Sequence, residues 1–131
     1  LHIDEALDIL DFERSYAPNL LSEVKKEPKI YSVDDSIVYE YPPNSYYQVF
    51  LIQLKKDRVL FINNVYAYII SIFIQGFALI SGKANNPIMA KRGQSLLLAN
   101  SGMPYVVKAT EDTELIVIIP SNSILELNIQ K

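Results

Sequence analysis

The sequence predicts an all-β fold, an antiparallel sandwich or barrel formed as one domain. Three observations carry this expectation. From Ile30 onward, short segments rich in Val, Ile, Tyr and Phe follow one another, with turn signals about every 8–12 residues. The longest uncharged run, VYAYIISIFIQGFALI over Val65–Ile80, is interrupted at Gly76 and consists largely of strand formers. The chain has 131 residues, 50% hydrophobic and 21% charged, a length and balance that suit one globular domain with its own core.

The first segment, LHIDEALDILDFE, stands apart from this β pattern. Ile3, Ala6, Leu7 and Leu10 recur at helical spacing and form one apolar stripe. Asp4 and Glu5 fall in the first turn, where the helix dipole favours negative charge. A short helix is expected over Ile3–Asp11. RSYAPNLLSEVKKEP follows, polar and punctuated by Pro18 and Pro28, and reads as a linker. The expected division is residues 1–29 as helix and linker and residues 30–131 as the β domain.

The strands then come in order. SIVYEY (Ser36–Tyr41) is stopped by PPN, and SYYQVFLIQL (Ser45–Leu54) alternates in polarity. KKD turns the chain into RVLFI (Arg58–Ile62). Asn63 and Asn64 are expected to form a turn, because Asn tolerates left-handed backbone. Strands are then expected at Val65–Gln75, Phe77–Ser81, Ile88–Lys91, Ser95–Ala99, Tyr105–Ala109, Thr113–Ile119 and Ile124–Ile129. Ile70, Ile72, Phe73, Leu97, Val117 and Ile119 lie centrally in the most apolar of these and are the expected core.

Composition excludes several functions. There is no Cys, which removes disulfides, thiolate metal sites and cysteine nucleophiles. The same absence fits a reducing compartment, and the cytoplasm is the expected location. Net charge is −3 with no basic stripe, so nucleic acid is not an expected partner. A membrane helix needs about 20 apolar residues. The Val65–Ile80 run is shorter and contains Ser71, Gln75 and Gly76, so two strands are the better reading. The sequence begins at Leu1 without a basic-then-apolar leader, and a fragment of a longer protein is expected.

The residues offer little for catalysis. His2 is the only histidine, and one imidazole cannot build a histidine-rich metal site or a nucleophile–histidine–acid arrangement. Asp34–Asp35 and Glu111–Asp112 lie in apparent turns without the spacing of a calcium loop. Asp4, Glu5, Asp8, Asp11 and Glu13 read as the wet face of the helix rather than as paired acids for glycoside chemistry. Gly76, Gly82, Gly93 and Gly102 sit in separate turns, so no phosphate-cradling loop forms. Tyr39, Tyr41, Tyr46, Tyr47, Tyr66 and Tyr68 cluster in the strand-rich middle. They could stack on sugar rings, but half-buried sheet positions are the favoured reading.

Order and spacing carry a resemblance. LHIDEALDILDFE resembles the segment that follows the catalytic domain of short bacterial type I mannose-6-phosphate isomerases. YYQVFLIQL, SIFIQGFALISG, KRGQSLLLANSGMPYVV and TELIVIIP together resemble the C-terminal cupin domain of those enzymes, and the likeness covers nearly the whole chain. It implies a cupin-type jelly-roll barrel with a short N-terminal helix. It also implies a parent enzyme that uses zinc to interconvert mannose 6-phosphate and fructose 6-phosphate. The zinc ligands and catalytic arginine would lie in an N-terminal catalytic domain preceding Leu1, and that domain would be this chain's partner.

The general cupin pattern places metal ligands at set positions. With Gly76 as the glycine that closes the first motif, the histidine pair falls near Ile62–Val65 and the glutamate near Ile69. The second motif starts from Gly93, and its histidine falls at about Pro104. These positions read Ile62, Asn63, Asn64, Val65, Ile69 and Pro104. The resemblance therefore implies a barrel with no catalytic residue, no metal and no cofactor of its own. The rival expectations are a stand-alone sugar-binding cupin and a pure interaction domain. Self-association is expected through the apolar surface that the missing catalytic domain would otherwise cover.

Overall fold

The computed structural model describes residues 27–64, 67–82, 86–100 and 102–130. The expected helix over Ile3–Asp11 lies outside these residues. Among the described residues there are eleven strands and no helix: β1 (Lys29–Val33), β2 (Ser36–Glu40), β3 (Tyr47–Leu54), β4 (Val59–Asn64), β5 (Ile69–Gln75), β6 (Phe77–Ser81), β7 (Ile88–Lys91), β8 (Ser95–Leu98), β9 (Tyr105–Ala109), β10 (Thr113–Pro120) and β11 (Leu125–Gln130). They form a six-stranded sheet ordered β1-β2-β3-β10-β5-β8 and a five-stranded sheet ordered β11-β4-β9-β6-β7. Every pairing is antiparallel. No helix of the described residues is long and apolar enough to cross a membrane.

The two sheets face each other across one core. Val38, Phe50, Ile52, Leu54, Phe73 and Leu115 come from the six-stranded sheet, and Leu60, Ile62, Ile80 and Val107 from the five-stranded sheet. Successive side chains on a strand point to opposite faces. In β3, Phe50 and Ile52 therefore enter this core while Val49 and Leu51 face away. Val49 and Leu51 are nevertheless buried, in a second cluster with Tyr41, Ile72, Ile74 and Ile116. The alternation expected for β3 is thus one of direction and not of burial: Val49 through Ile52 are all buried. Strands apolar on both faces belong to a sheet covered on both sides.

The chain changes sheets at tight corners. Only Gly76 separates β5 from β6, and it has φ +91°. A Cβ there would strike the Asp112 carbonyl oxygen and lie 2.6 Å from Thr113 Oγ1. Just before this corner the β5–β10 register shifts, pairing Glu114 with Gln75 but Leu115 with Phe73, which leaves Ile74 as the extra residue of a bulge. Gly93, also at φ +91°, forms the second corner between β7 and β8. Its N–H donates to the Phe73 carbonyl at 2.8 Å, and the Phe73 N–H donates to the Gln94 carbonyl at 2.9 Å. The uncharged Val65–Ile80 run resolves into β5 and β6 meeting at Gly76, with Val65 and Tyr66 outside the described residues.

Three expectations are corrected. Asn63 and Asn64 do not turn the chain; they continue β4, pairing with Glu126 and Leu125 of β11. Polar partners make this possible, because Asn64 Nδ2 donates to Ser123 Oγ (2.9 Å) and to the Tyr68 carbonyl (3.0 Å). Leu97 is not core: β8 is the edge of its sheet, and Leu97 faces outward, 70% exposed. Ile70, opposite Leu97, is only partly buried, while Ile72, Phe73, Val117 and Ile119 are buried as expected. Finally, β1 was not among the expected strands. All five of its residues are exposed, and it pairs on one side only.

Candidate functional site

The positions at which the cupin pattern places ligands fall in two different places. Ile62 on β4 and Ile69 at the start of β5 point into the core, each 1% exposed. Ile69 pairs with Leu98, also in that core. Neither isoleucine has a lone pair to offer a metal. Asn64 also points inward, but its amide nitrogen is committed to Ser123 and Tyr68. Val65 lies outside the described residues. Among the described residues no three His, Asp or Glu side chains gather closely enough to hold a metal ion. Among the described residues, the donor set of the barrel interior does not fit zinc.

Asn63 and Pro104 lie elsewhere. β4 directs Asn63 to the outer face of the five-stranded sheet, and Pro104, just before β9, is exposed beside it. They line a cleft of about 370 Å³ with Phe61, Glu126, Asn128 and Gln130. Residues 61 and 63 of β4 and 126, 128 and 130 of β11 share this face because they alternate along paired strands. Asn63 Nδ2 donates to Glu126 Oε1 at 3.1 Å, which fixes one amide and one carboxylate side by side. The cleft, which Leu127 also lines, therefore offers amides, a carboxylate, an aromatic ring and the apolar Pro104 and Leu127. These groups suit a neutral polyol and lack the cation that a phosphate would need. Sequence reasoning missed the cleft because its residues are individually ordinary; the alternation of Glu126, Asn128 and Gln130 was the available signal.

The tyrosines do not act together. Tyr41 is buried against the outer side of the six-stranded sheet, with Tyr39 and Tyr47 packed beside it. Tyr46 is 81% exposed and Tyr68 is also exposed, while Tyr66 lies outside the described residues. Burial, then the neighbouring Tyr39, raises the pKa of Tyr41; burial, then the Glu40 carboxylate, raises that of Tyr31. Both phenols are held neutral, which makes them poor bases. The paired acids sit in turns, as expected. Asp34 and Asp35 form the β1–β2 turn and lie 3.8 and 4.0 Å from the Arg58 guanidinium. Asp112 accepts from the Lys56 N–H at 2.9 Å and lies 3.7 Å from Lys55 Nζ.

Solved structures share this arrangement. A protein with a double-stranded β-helix domain from Klebsiella pneumoniae superposes with a TM-score of 0.62 at 14% identity, covering 77% of this chain and 90% of that one. An RmlC-like cupin from Shewanella frigidimarina gives 0.61 at 10% identity, covering 72% and 84%. KdgF from a Halomonas species gives 0.61 at 10% identity, covering 70% and 84%. This is a cupin fold. No family model matches the chain, and no curated protein matches it. At these identities the likeness establishes the cupin barrel and leaves chemistry to be argued from the residues. In this cupin-type fold, apolar side chains from both sheets form the core between them.

Proposed function

We propose that this chain is a non-catalytic cupin domain, the C-terminal domain of a mannose-6-phosphate isomerase, supporting a catalytic domain by packing. The observation that carries the non-catalytic reading is the interior, where Ile62 and Ile69 occupy the expected ligand positions and are buried in the core. The parentage rests on the sequence resemblance. In this reading zinc and the isomerisation belong to the preceding catalytic domain, and the parent works in the cytoplasm.

Two measurements test the reading. Elemental analysis of untagged protein should find no stoichiometric metal, and coupled conversion of mannose 6-phosphate with added zinc should stay at the blank. Turnover that is lost on substituting a residue of this chain would refute the non-catalytic reading. The coding region upstream of Leu1 should specify two His, a Gln and a Glu as ligands. A different upstream region would refute the parentage and leave the non-catalytic cupin intact.

A second reading is favoured by the outer cleft. The Asn63–Glu126 pair, Asn128, Gln130 and Phe61 are the kind of groups that bind an uncharged sugar, and a stand-alone sugar-binding cupin would use them. Titration with mannose, followed by the amide signals of residues 61, 63 and 126–130, separates the two. Saturable shifts confined to those residues favour the sugar-binding domain.

A further inference from the structure

The two sheets end in four edge strands, β1, β8, β11 and β7, and β1 is the most open of them. All five of its residues are exposed, and it pairs with β2 alone. The other edges each keep a residue in the core: Leu98 in β8, Ile129 in β11 and Ala90 in β7. Edges are ordinarily blunted by charges, proline or a bulge. The pairing of β1 runs without a bulge from Lys29–Glu40 to Val33–Ser36, the strand contains no proline, and Lys29 is its one charge. Ile30 is 61% exposed, Tyr31 41% and Val33 38%. A bare edge this apolar is a template for a further strand.

The hairpin assigns the free backbone groups. Asp34 and Asp35 form a two-residue turn between β1 and β2, with Asp34 at φ +55°. Such a turn closes on a hydrogen-bonded pair, here Val33–Ser36, and hydrogen-bonded pairs alternate along antiparallel strands. Val33, Tyr31 and Lys29 therefore direct their N–H and C=O groups at β2, whereas Ser32 and Ile30 direct theirs away from the sheet. Charge then selects the occupant and its register. In a two-fold antiparallel pairing with β1 of a second copy, Ser32 at the axis sets Tyr31 opposite Val33 and Lys29 opposite Asp35 of the other copy, twice over. The Asp35 side chain is 75% exposed and lies 4.0 Å from Arg58, so its carboxylate has room for a second cation. Tyr31 at the axis would instead bring Glu27 to Asp35, and a parallel pairing would set Lys29 against Lys29. Like charges placed opposite each other are unfavourable.

We propose that two copies of this chain join edge to edge through β1, antiparallel about Ser32, so that their six-stranded sheets become one continuous sheet. Five residues a side make a small interface, and the dimer is therefore weak and concentration-dependent. The inference is independent of the parentage proposed above, since it uses only β1, β2 and the turn between them.

The chain has no cysteine, so each cysteine variant carries a single thiol. Under mild oxidation Ser32→Cys should form a disulfide-linked dimer several-fold faster than Ile30→Cys, Tyr31→Cys or Val33→Cys. The Cα atoms of a hydrogen-bonded antiparallel pair are about 5.5 Å apart, inside the roughly 4.4–6.8 Å that a disulfide spans, whereas the two Ile30 positions would be offset by about 13 Å along the strands. In sedimentation velocity the unmodified chain should shift from monomer towards dimer between micromolar and millimolar concentration. Ser32→Pro removes an outward N–H and no bond to β2, and it should hold the chain monomeric while the amide shifts of β3 and β10 stay in place. A chain monomeric at millimolar concentration, equal crosslinking at all four positions, or fastest crosslinking at Tyr31 would overturn the proposal. So would a dimer undiminished by Ser32→Pro, which would put the interface on another surface.

Discussion

Replacing Gly76 with alanine tests the corner that joins the two sheets, and Gly93→Ala supplies its control. Both glycines have φ +91°, so a side chain at either incurs the left-handed backbone cost of roughly 1–2 kcal/mol. They differ in the space around them. At Gly93 a Cβ would meet no heavy atom within 4 Å, whereas at Gly76 it would strike the Asp112 carbonyl and approach Thr113 Oγ1 to 2.6 Å and Thr113 Cα to 2.8 Å. Thr113 cannot easily retreat. It is buried, and its hydroxyl lies 2.9 Å from the Phe77 carbonyl and 2.8 Å from that of Glu111. Overpacking of this kind adds about 1–3 kcal/mol. Gly93→Ala should therefore cost about 1–2 kcal/mol and Gly76→Ala about 2–5 kcal/mol, a large part of the roughly 5–15 kcal/mol that holds a domain together. Urea unfolding followed by far-UV circular dichroism, extrapolated linearly to water, reads both. Equal losses at the two sites would refute the argument that the corner is packed shut.

Two further outcomes follow from burial. Phe73→Ala should lose about 3–5 kcal/mol because its ring is wholly buried between the sheets, while Leu97→Ala on the exposed edge strand should stay within about 0.5 kcal/mol; comparable losses in urea unfolding would mean that the core is misplaced. In an alkaline titration read by tyrosinate absorbance, Tyr31 and Tyr41 should ionise above the ordinary phenol value of about 10. Because their folded pKa values are raised, their contribution to stability is whole below about 10, the unfolded value, and declines as pH rises through the folded ones; Tyr41→Phe should remove its share, and ionisation of both at the ordinary phenol value in the folded chain would contradict this.

Most of the fold is legible because turn chemistry and apolar runs agree. KKD, Gly76 and the Lys91–Gln94 turn each place a reversal where the chain reverses, and the strand between each pair follows from its residues. Asn63 and Asn64 were misread because turn propensity is local, whereas their conformation is decided by Ser123 and Glu126, about sixty residues away in sequence. Leu97 was misread for a related reason. SLLL is as apolar as any core strand, and only the sheet order puts β8 at an edge. The candidate site divides the same way. The inward isoleucines could be read from alignment to a pattern, because position along a strand fixes facing. The outer cleft could not, because it exists only once β11 pairs with β4 and β9 brings Pro104 alongside.

The strand order also dictates when this sheet can assemble. β10 sits between β3 and β5, and without it the six-stranded sheet is two unconnected pieces, β1-β2-β3 and β5-β8. Its pairing with β3 runs from Leu54 with Thr113 to Tyr47 with Pro120, contacts that span about half the chain. Non-local pairing of this kind folds slowly, since the intervening loop must close before any contact rewards it. During synthesis β3 and β5 emerge long before their shared neighbour, so that one edge of each stays unpaired even when β2 and β8 are in place. Until Pro120 has been made, the growing chain carries its most aggregation-prone strands uncovered, and chaperone dependence should fall sharply once that residue is passed.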